Sequence, residues 1–383
     1  MQQKAGPARP SIVVTYRVRA GAAAIEERAR AIAVEQSVEM PVAAITDAQV
    51  LDGILGRVVG IAPVGEGAFD VRVDLALATT GLEAGQLFNM LFGNTSIHDD
   101  VTLQDMEAGP ELVQAFGGPR HGIEGLRTRV GAGRRALTCS ALKPQGLSPE
   151  ALAALAGRLA LGRLDYIKDD HGLADQAYSP FAARVSAVAG AIARAADATA
   201  KRTRYVPSLA GTLDDLRRQV DICRTHGLDT IMIAPMVVGV PSFAAVVREA
   251  PDMAVMTHPA LAGAARIAPP LHFGRLFRML GADAVVYPNH GGRFGYTAET
   301  CRAIAQAGLA EWHGLRGTLA VPAGGMTLDR VPEMLDFYGP DVMLLIGGGL
   351  LAAGDRLTEE TAAFVDAVEG YSAATPVTVG AVR

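Results

Sequence analysis

From Arg135 onward, short apolar runs alternate with amphipathic helical stretches, and eight such cycles can be counted. The runs fall at 136–142, 164–167, 205–209, 230–233, 254–256, 284–287, 318–321 and 343–346. Parallel strands need long crossovers, and helices supply them. Eight strand-helix units in about 250 residues match the size and count of a (β/α)8 barrel. An open doubly wound sheet is the alternative, because periodicity does not establish closure.

The residues before this region have a different texture. An alternating run at 11–19 places Ile12, Val14, Tyr16 and Val18 on one face of a strand. A helical pattern at 22–35 follows, then short strands at 57–61 and 69–75 and a helix at 82–90. That order predicts a small α+β domain on an antiparallel sheet. Residues 110–134, rich in Gly and Arg, read as the passage into the barrel. The expected division is an N-terminal α+β domain over 1–120 and a barrel domain over 121–383.

A net charge of −5 over 383 residues gives no general attraction to nucleic acid or anionic membrane, which leaves a small molecule as the expected ligand. Cys139, Cys223 and Cys301 show no metal-ligand spacing and cannot all pair with one another, as expected of a reducing cytoplasm. No run is apolar enough for a signal peptide or a bilayer span.

Barrel sites are assembled where strands end. The eight ends carry Lys143; Lys168 with Asp170 and His171; Ser208; Met236; His258; Asn289 with His290; Ala323-Gly324-Gly325; and Gly347-Gly348-Gly349. The glycine runs follow strands seven and eight, where barrels commonly hold phosphate on backbone N–H groups, although glycine serves tight turns equally well. Lys168, Asp170 and His171 can converge on a divalent cation: the set could hold Mg²⁺ and would also suit Mn²⁺ or Zn²⁺. Lys168 must then be deprotonated, carbamylated by CO2 into an oxygen donor, or outside the ligand set. Lys143 beside such a centre could move a proton next to a carbonyl, or could instead pair with Asp170. His258 is either a donor to substrate oxygen or a wall histidine.

Four blocks carry a family resemblance: Phe116 to Ile123, Leu142 to Ser148, Gly162 to His171, and the paired glycine runs. They resemble ribulose-bisphosphate carboxylase (RuBisCO) and, more closely, the RuBisCO-like proteins. The resemblance implies an N-terminal α+β domain, a (β/α)8 barrel and a homodimer whose active sites draw on both subunits. It makes Lys168 the carbamylated metal ligand, Asp170 its carboxylate co-ligand and Lys143 the catalytic lysine of the first strand. Asn94 and Glu35 then match the polar residues lent by the N-terminal domain, and His258 matches a histidine of the fifth strand.

Several positions depart from that pattern. His171 replaces a glutamate, Gln145 a second lysine and Ala323 a serine, while Met40-Pro41 stands for Thr-Trp and Arg293 is the nearest cation to the missing lysine of loop six. The departures fall on groups that handle CO2 and a second phosphate. The implied function is therefore metal-assisted enolisation, isomerisation or carbon–carbon hydrolysis of a phosphorylated keto-sugar or keto-acid, with an oxo-sugar-acid phosphate favoured, and not CO2 fixation. The 2,3-diketo-5-methylthiopentyl-1-phosphate enolase reaction of methionine salvage is one alternative. A non-catalytic binding protein on a decayed enzyme fold is another.

Overall fold

A computed structural model describes residues 9–292 and 294–374, which form two compact units. The first comprises the chain up to Gly117 together with Leu261–His272 and Trp312–Leu315. Its sheet contains β1 (Ser11–Arg19), β2 (Arg57–Gly65), β3 (Ala68–Ala76) and β4 (Val101–Ala108), antiparallel in the order β2-β3-β1-β4. Ile12, Val14, Tyr16 and Val18 lie buried on one face of β1, as the alternation predicts. The helix Ile25–Glu35 buries Ala29, Ile32 and Ala33, and the helix Ala84–Phe92 accepts the Tyr16 hydroxyl hydrogen at Leu91 O, 2.7 Å away. β4 is absent from the sequence reading because the adjacent polar pair Gln104-Asp105 interrupts its alternation, at a register shift opposite Thr15/Tyr16.

The second unit holds the parallel strands β5 (Leu137–Leu142), β6 (Tyr166–Asp169), β7 (Arg204–Val206), β8 (Ser208–Leu209), β9 (Thr230–Ile233), β10 (Ala254–Thr257), β11 (Ala284–Pro288), β12 (Leu319–Ala323) and β13 (Met343–Leu345). Their order is β7-β6-β5-β13-β12-β11-β10-β9-β8. The two ends of that order, β7 and β8, are one strand of the chain interrupted at Pro207, which has no N–H to give the ladder. Its carbonyl still accepts from Met232 N at 2.8 Å. The sheet therefore closes on itself, and the open-sheet alternative is excluded.

Inward side chains from eight of the nine barrel strands, among them Cys139, Tyr166, Val206, Met232, Met256, Val286, Val321 and Leu345, form one core with Leu126 and Val130. Those last two belong to the helix Gly122–Val130, inside the segment expected to be only a passage. It fills the amino-terminal mouth of the barrel, and the Tyr166 hydroxyl donates to Leu126 O at 2.8 Å. The buried Asp283 carboxylate anchors this plug, accepting from His121 N (2.8 Å), Gly122 N (2.6 Å) and Val255 N (2.8 Å). Among the described residues no helix is long and apolar enough to cross a membrane. Asp283→Ala strands three donors, two of them buried, so we expect a loss of about 3–5 kcal/mol in urea unfolding.

Candidate active site

Side chains along a strand alternate in direction, so the inward row of each barrel strand continues onto a definite residue past its end. Leu137 and Cys139 face inward, and two further steps of two lead to Lys143. Tyr166 leads to Lys168 and Asp170, Met256 to His258, Val321 to Ala323 and Leu345 to Gly347. The β5/β6 register pairs Ala141 with Lys168, and two residues on it sets Lys143 beside Asp170. Their Nζ and Oδ1 atoms are 2.6 Å apart.

Of the adjacent carboxylates only Asp170 faces this cluster. Asp169 points into the helix layer, where it accepts from Arg184 Nε (3.1 Å), Tyr205 Oη (2.7 Å) and Ser208 N (3.1 Å), all without solvent access to the pair. Ser208, the third strand end, thus gives its backbone N–H to Asp169. Asp170 also lies 3.4 Å from His171 Nδ1 and accepts from Gln145 Nε2 at 3.4 Å. Burial raises its carboxyl pKa, but His171, Lys143 and Lys168 outweigh burial and hold it well below the usual carboxylate range. Lys168 is 3% exposed, its Nζ donates to Asp169 O at 2.9 Å, and burial pushes its ammonium pKa down.

His171 turns out of the strand row and stacks on His258, with ring centroids 4.2 Å apart and 8° between planes. His258 Nδ1 accepts Ala260 N–H at 3.2 Å, so a neutral His258 carries its proton on Nε2 and offers a donor there. Burial, with Lys168 and His171 nearby, lowers its pKa to about 2.

The glycine runs divide in character. Gly324 and Gly325 have φ of +84° and +70°, and a Cβ on Gly325 would stand 2.6 Å from Gly292 Cα. A Cβ on Gly292 would in turn meet Gly324 O at 2.5 Å, so loops six and seven touch backbone to backbone. Gly347 and Gly348 have no atom within 4 Å of a built Cβ, and no packing requires glycine there. Asn289 is structural: its amide donates to the sulfurs of Met326 and Met334 and accepts from Tyr338 Oη at 2.8 Å. Met236 lies in the short helix Pro235–Val238, His290 packs against the Phe337 ring, and Arg293 is outside the described residues.

In the first unit, Asn94 Nδ2 donates to Glu35 Oε1 and to Glu39 Oε1, each at 2.9 Å. The buried Gln36 holds this loop, donating to Met90 O (2.8 Å) and accepting from Thr95 N (3.2 Å). Neither Glu39 nor Gln36 stands out in sequence, because both meet Asn94's loop only across more than 50 residues of chain.

Among the described residues no group of three or more His, Cys, Asp or Glu is placed to hold a metal ion. Asp170 and His171 supply two donors at a separation near the roughly 3 Å between neighbouring ligands of an octahedral ion. Lys168 becomes a third donor in this cluster only through loss of its proton or conversion to a carbamate.

Residues 122–371 match the family model described as the ribulose bisphosphate carboxylase large chain, catalytic domain. The chain belongs to the RuBisCO large-chain family. It is 63% identical over 357 residues to 5-methylthioribulose-1-phosphate isomerase of Rhodospirillum rubrum, covering 93% of this chain and 96% of that protein. It is 32% identical over 301 residues to 2,3-diketo-5-methylthiopentyl-1-phosphate enolase of Geobacillus kaustophilus, covering 76% and 72%. The solved RuBisCO-like protein from Rhodopseudomonas palustris superposes with a TM-score of 0.90 at 52% identity, over 95% of this chain and 99% of that one. Fold and family thus agree with the sequence expectation.

Within this RuBisCO-family barrel the two glycine runs should respond differently to a methyl group. Gly325→Ala combines a left-handed backbone with a backbone clash, and we expect at least about 1–3 kcal/mol of destabilisation in thermal or urea unfolding. Gly348→Ala should leave the unfolding midpoint unchanged.

Proposed function

We propose that the protein isomerises a monophosphorylated ketose, with 5-methylthioribulose 1-phosphate as the leading candidate, by moving a proton between carbons through an enediolate. The observation that carries this reading is the Lys143–Asp170 pair beside the buried Lys168, at the ends of neighbouring inward rows. Identity to the R. rubrum isomerase over nearly the whole of both chains supports the choice of reaction and shifts preference away from an oxo-sugar-acid phosphate. The enolase reading draws on relatives of lower identity and stands second.

In this mechanism the backbone N–H groups around Gly347 and Gly348 receive the single phosphate, since no neighbouring atom crowds that turn. The amine of Lys143, having given up its own proton on leaving Asp170, takes a proton from the carbon beside the carbonyl and returns it to the carbonyl carbon, while the hydroxyl proton passes to the former carbonyl oxygen, so that carbonyl and hydroxyl exchange places. His258 donates through Nε2 to a substrate oxygen, and its depressed pKa keeps it neutral throughout. Mg²⁺ would be held by Asp170, His171 and Lys168 as its CO2 carbamate, and when bound would stabilise negative charge on the substrate oxygen. The same burial that lowers the Lys168 pKa favours the free amine that reacts with CO2. Glu35 and Asn94 complete the site in a cytoplasmic homodimer, each lent by the N-terminal unit of a second copy. The altered positions, above all His171 and Gln145, argue against carboxylation.

The test is exchange of substrate hydrogen with deuterated water, followed together with product formation from 5-methylthioribulose 1-phosphate. We expect both to require Mg²⁺ and CO2, to cease on chelation, and to fall about 10²–10⁴-fold in Lys143→Met and Lys168→Ala. Absence of exchange and turnover on this compound and on a panel of keto-sugar phosphates would overturn the proposal.

A further inference from the structure

Asn94 gives both of its amide hydrogens to carboxylates, one to Glu35 and one to Glu39. Carboxylates only accept, so the amide cannot be turned over without setting its oxygen against both of them. Its Oδ1 is therefore directed away from both, and what Asn94 presents is an acceptor. The two carboxylate oxygens share one nitrogen at 2.9 Å each, so they lie no more than twice that distance apart.

Glu39 holds its place against a backbone preference. Its φ is +53°, in the left-handed region that side chains with a Cβ seldom occupy. The turn after the helix Ile25–Glu35 imposes this conformation, with Glu39 N–H closing onto Val34 O at 2.9 Å. Glycine would take that conformation without steric cost. Glutamate there costs stability and provides one thing glycine cannot, the second carboxylate on Asn94.

We infer that Glu39 is a positioning residue that fixes the orientation of the Asn94 amide so that it accepts from a chain hydroxyl of the substrate and, with Glu35, favours an uncharged end on that substrate over one carrying a carboxylate or second phosphate. This rests on the reading above, in which Asn94 faces bound substrate. An acceptor backed by two negative charges favours a neutral hydroxyl donor and repels an anion. That charge pattern suits a ketose carrying one phosphate and disfavours both bisphosphates and keto-acid phosphates.

The chain has three asparagines, Asn89, Asn94 and Asn289, so asparagine-selective ¹⁵N labelling of the intact protein yields three side-chain amide pairs. The Asn94 pair is identified by its loss in Asn94→Asp. We expect both of its protons downfield in the wild type and one returned to the solvent-exposed position in Glu39→Gly. By calorimetry, Glu39→Gly should bind 5-methylthioribulose 1-phosphate about tenfold more weakly and ribulose 1,5-bisphosphate about tenfold more tightly. Its melting temperature should hold or rise, because glycine accepts the φ. Glu39→Gln keeps shape and one acceptor oxygen, so it should retain the Asn94 shifts yet gain bisphosphate affinity, which separates orientation from charge. If the amide pair and both affinities stay at wild-type values in Glu39→Gly, the role of Glu39 is overturned whatever the reaction. If the wild type shows no isomerase turnover while these shifts occur, the reaction is wrong and the role of Glu39 stands.

Discussion

The candidate site depends on β6 using its two faces for opposite ends. A buried carboxylate is tolerated only when it is paired and hydrogen-bonded, and Asp169 satisfies this completely on the helix side of the sheet with Arg184, Tyr205 and Ser208 N. That arrangement ties β6 to β7, β8 and the helix Phe181–Thr199, around the very strand that Pro207 interrupts. With Asp169 fixed outward, strand alternation leaves Lys168 and Asp170 facing inward. Three consecutive residues thus become an inward amine, a structural anion and an inward anion at the candidate site.

Much of this is legible from sequence because period two is legible. Counting from Cys139, Tyr166, Met256, Val321 and Leu345, each inward row arrives at a residue whose chemistry already stands out. Closure of the barrel is not legible, since it rests on two hydrogen-bonded edges meeting across Pro207, a long-range fact. The plug helix Gly122–Val130 is equally hidden: its Gly and Arg content disguises a helix whose apolar residues are few and face only the barrel. Asp169 and Asp170 are indistinguishable by type, and only the strand's parity and the position of Arg184 separate them. Glu39 escapes for another reason, because its partner lies 55 positions away.

Glycine shows how one residue type supports two arguments. At Gly292, Gly324 and Gly325 the backbones of two loops approach so closely that a methyl group has no place, which explains those glycines without any ligand. At Gly347 and Gly348 the space is open, and a side chain could be accommodated. An unforced glycine beside a cluster of cations and imidazoles is the better indicator of a bound anion. The phosphate reading therefore narrows from two glycine runs to the one after β13.

The stacked histidines constrain the charge of this cluster further. Two imidazoles 4.2 Å apart and nearly parallel cannot both carry a proton cheaply, least of all beside Lys168 and Lys143. Ala260 N–H removes the remaining ambiguity at His258 by occupying Nδ1. His258 is thereby a fixed neutral donor. His171, more exposed and adjacent to Asp170, is the ring free to change its partner. A glutamate in its place would set a second carboxylate beside Asp170, whereas histidine adds a donor without adding negative charge. With Gln145 in place of a lysine, the cluster has lost both an anion and a cation relative to the carboxylase pattern. It keeps its charge balance relative to that pattern.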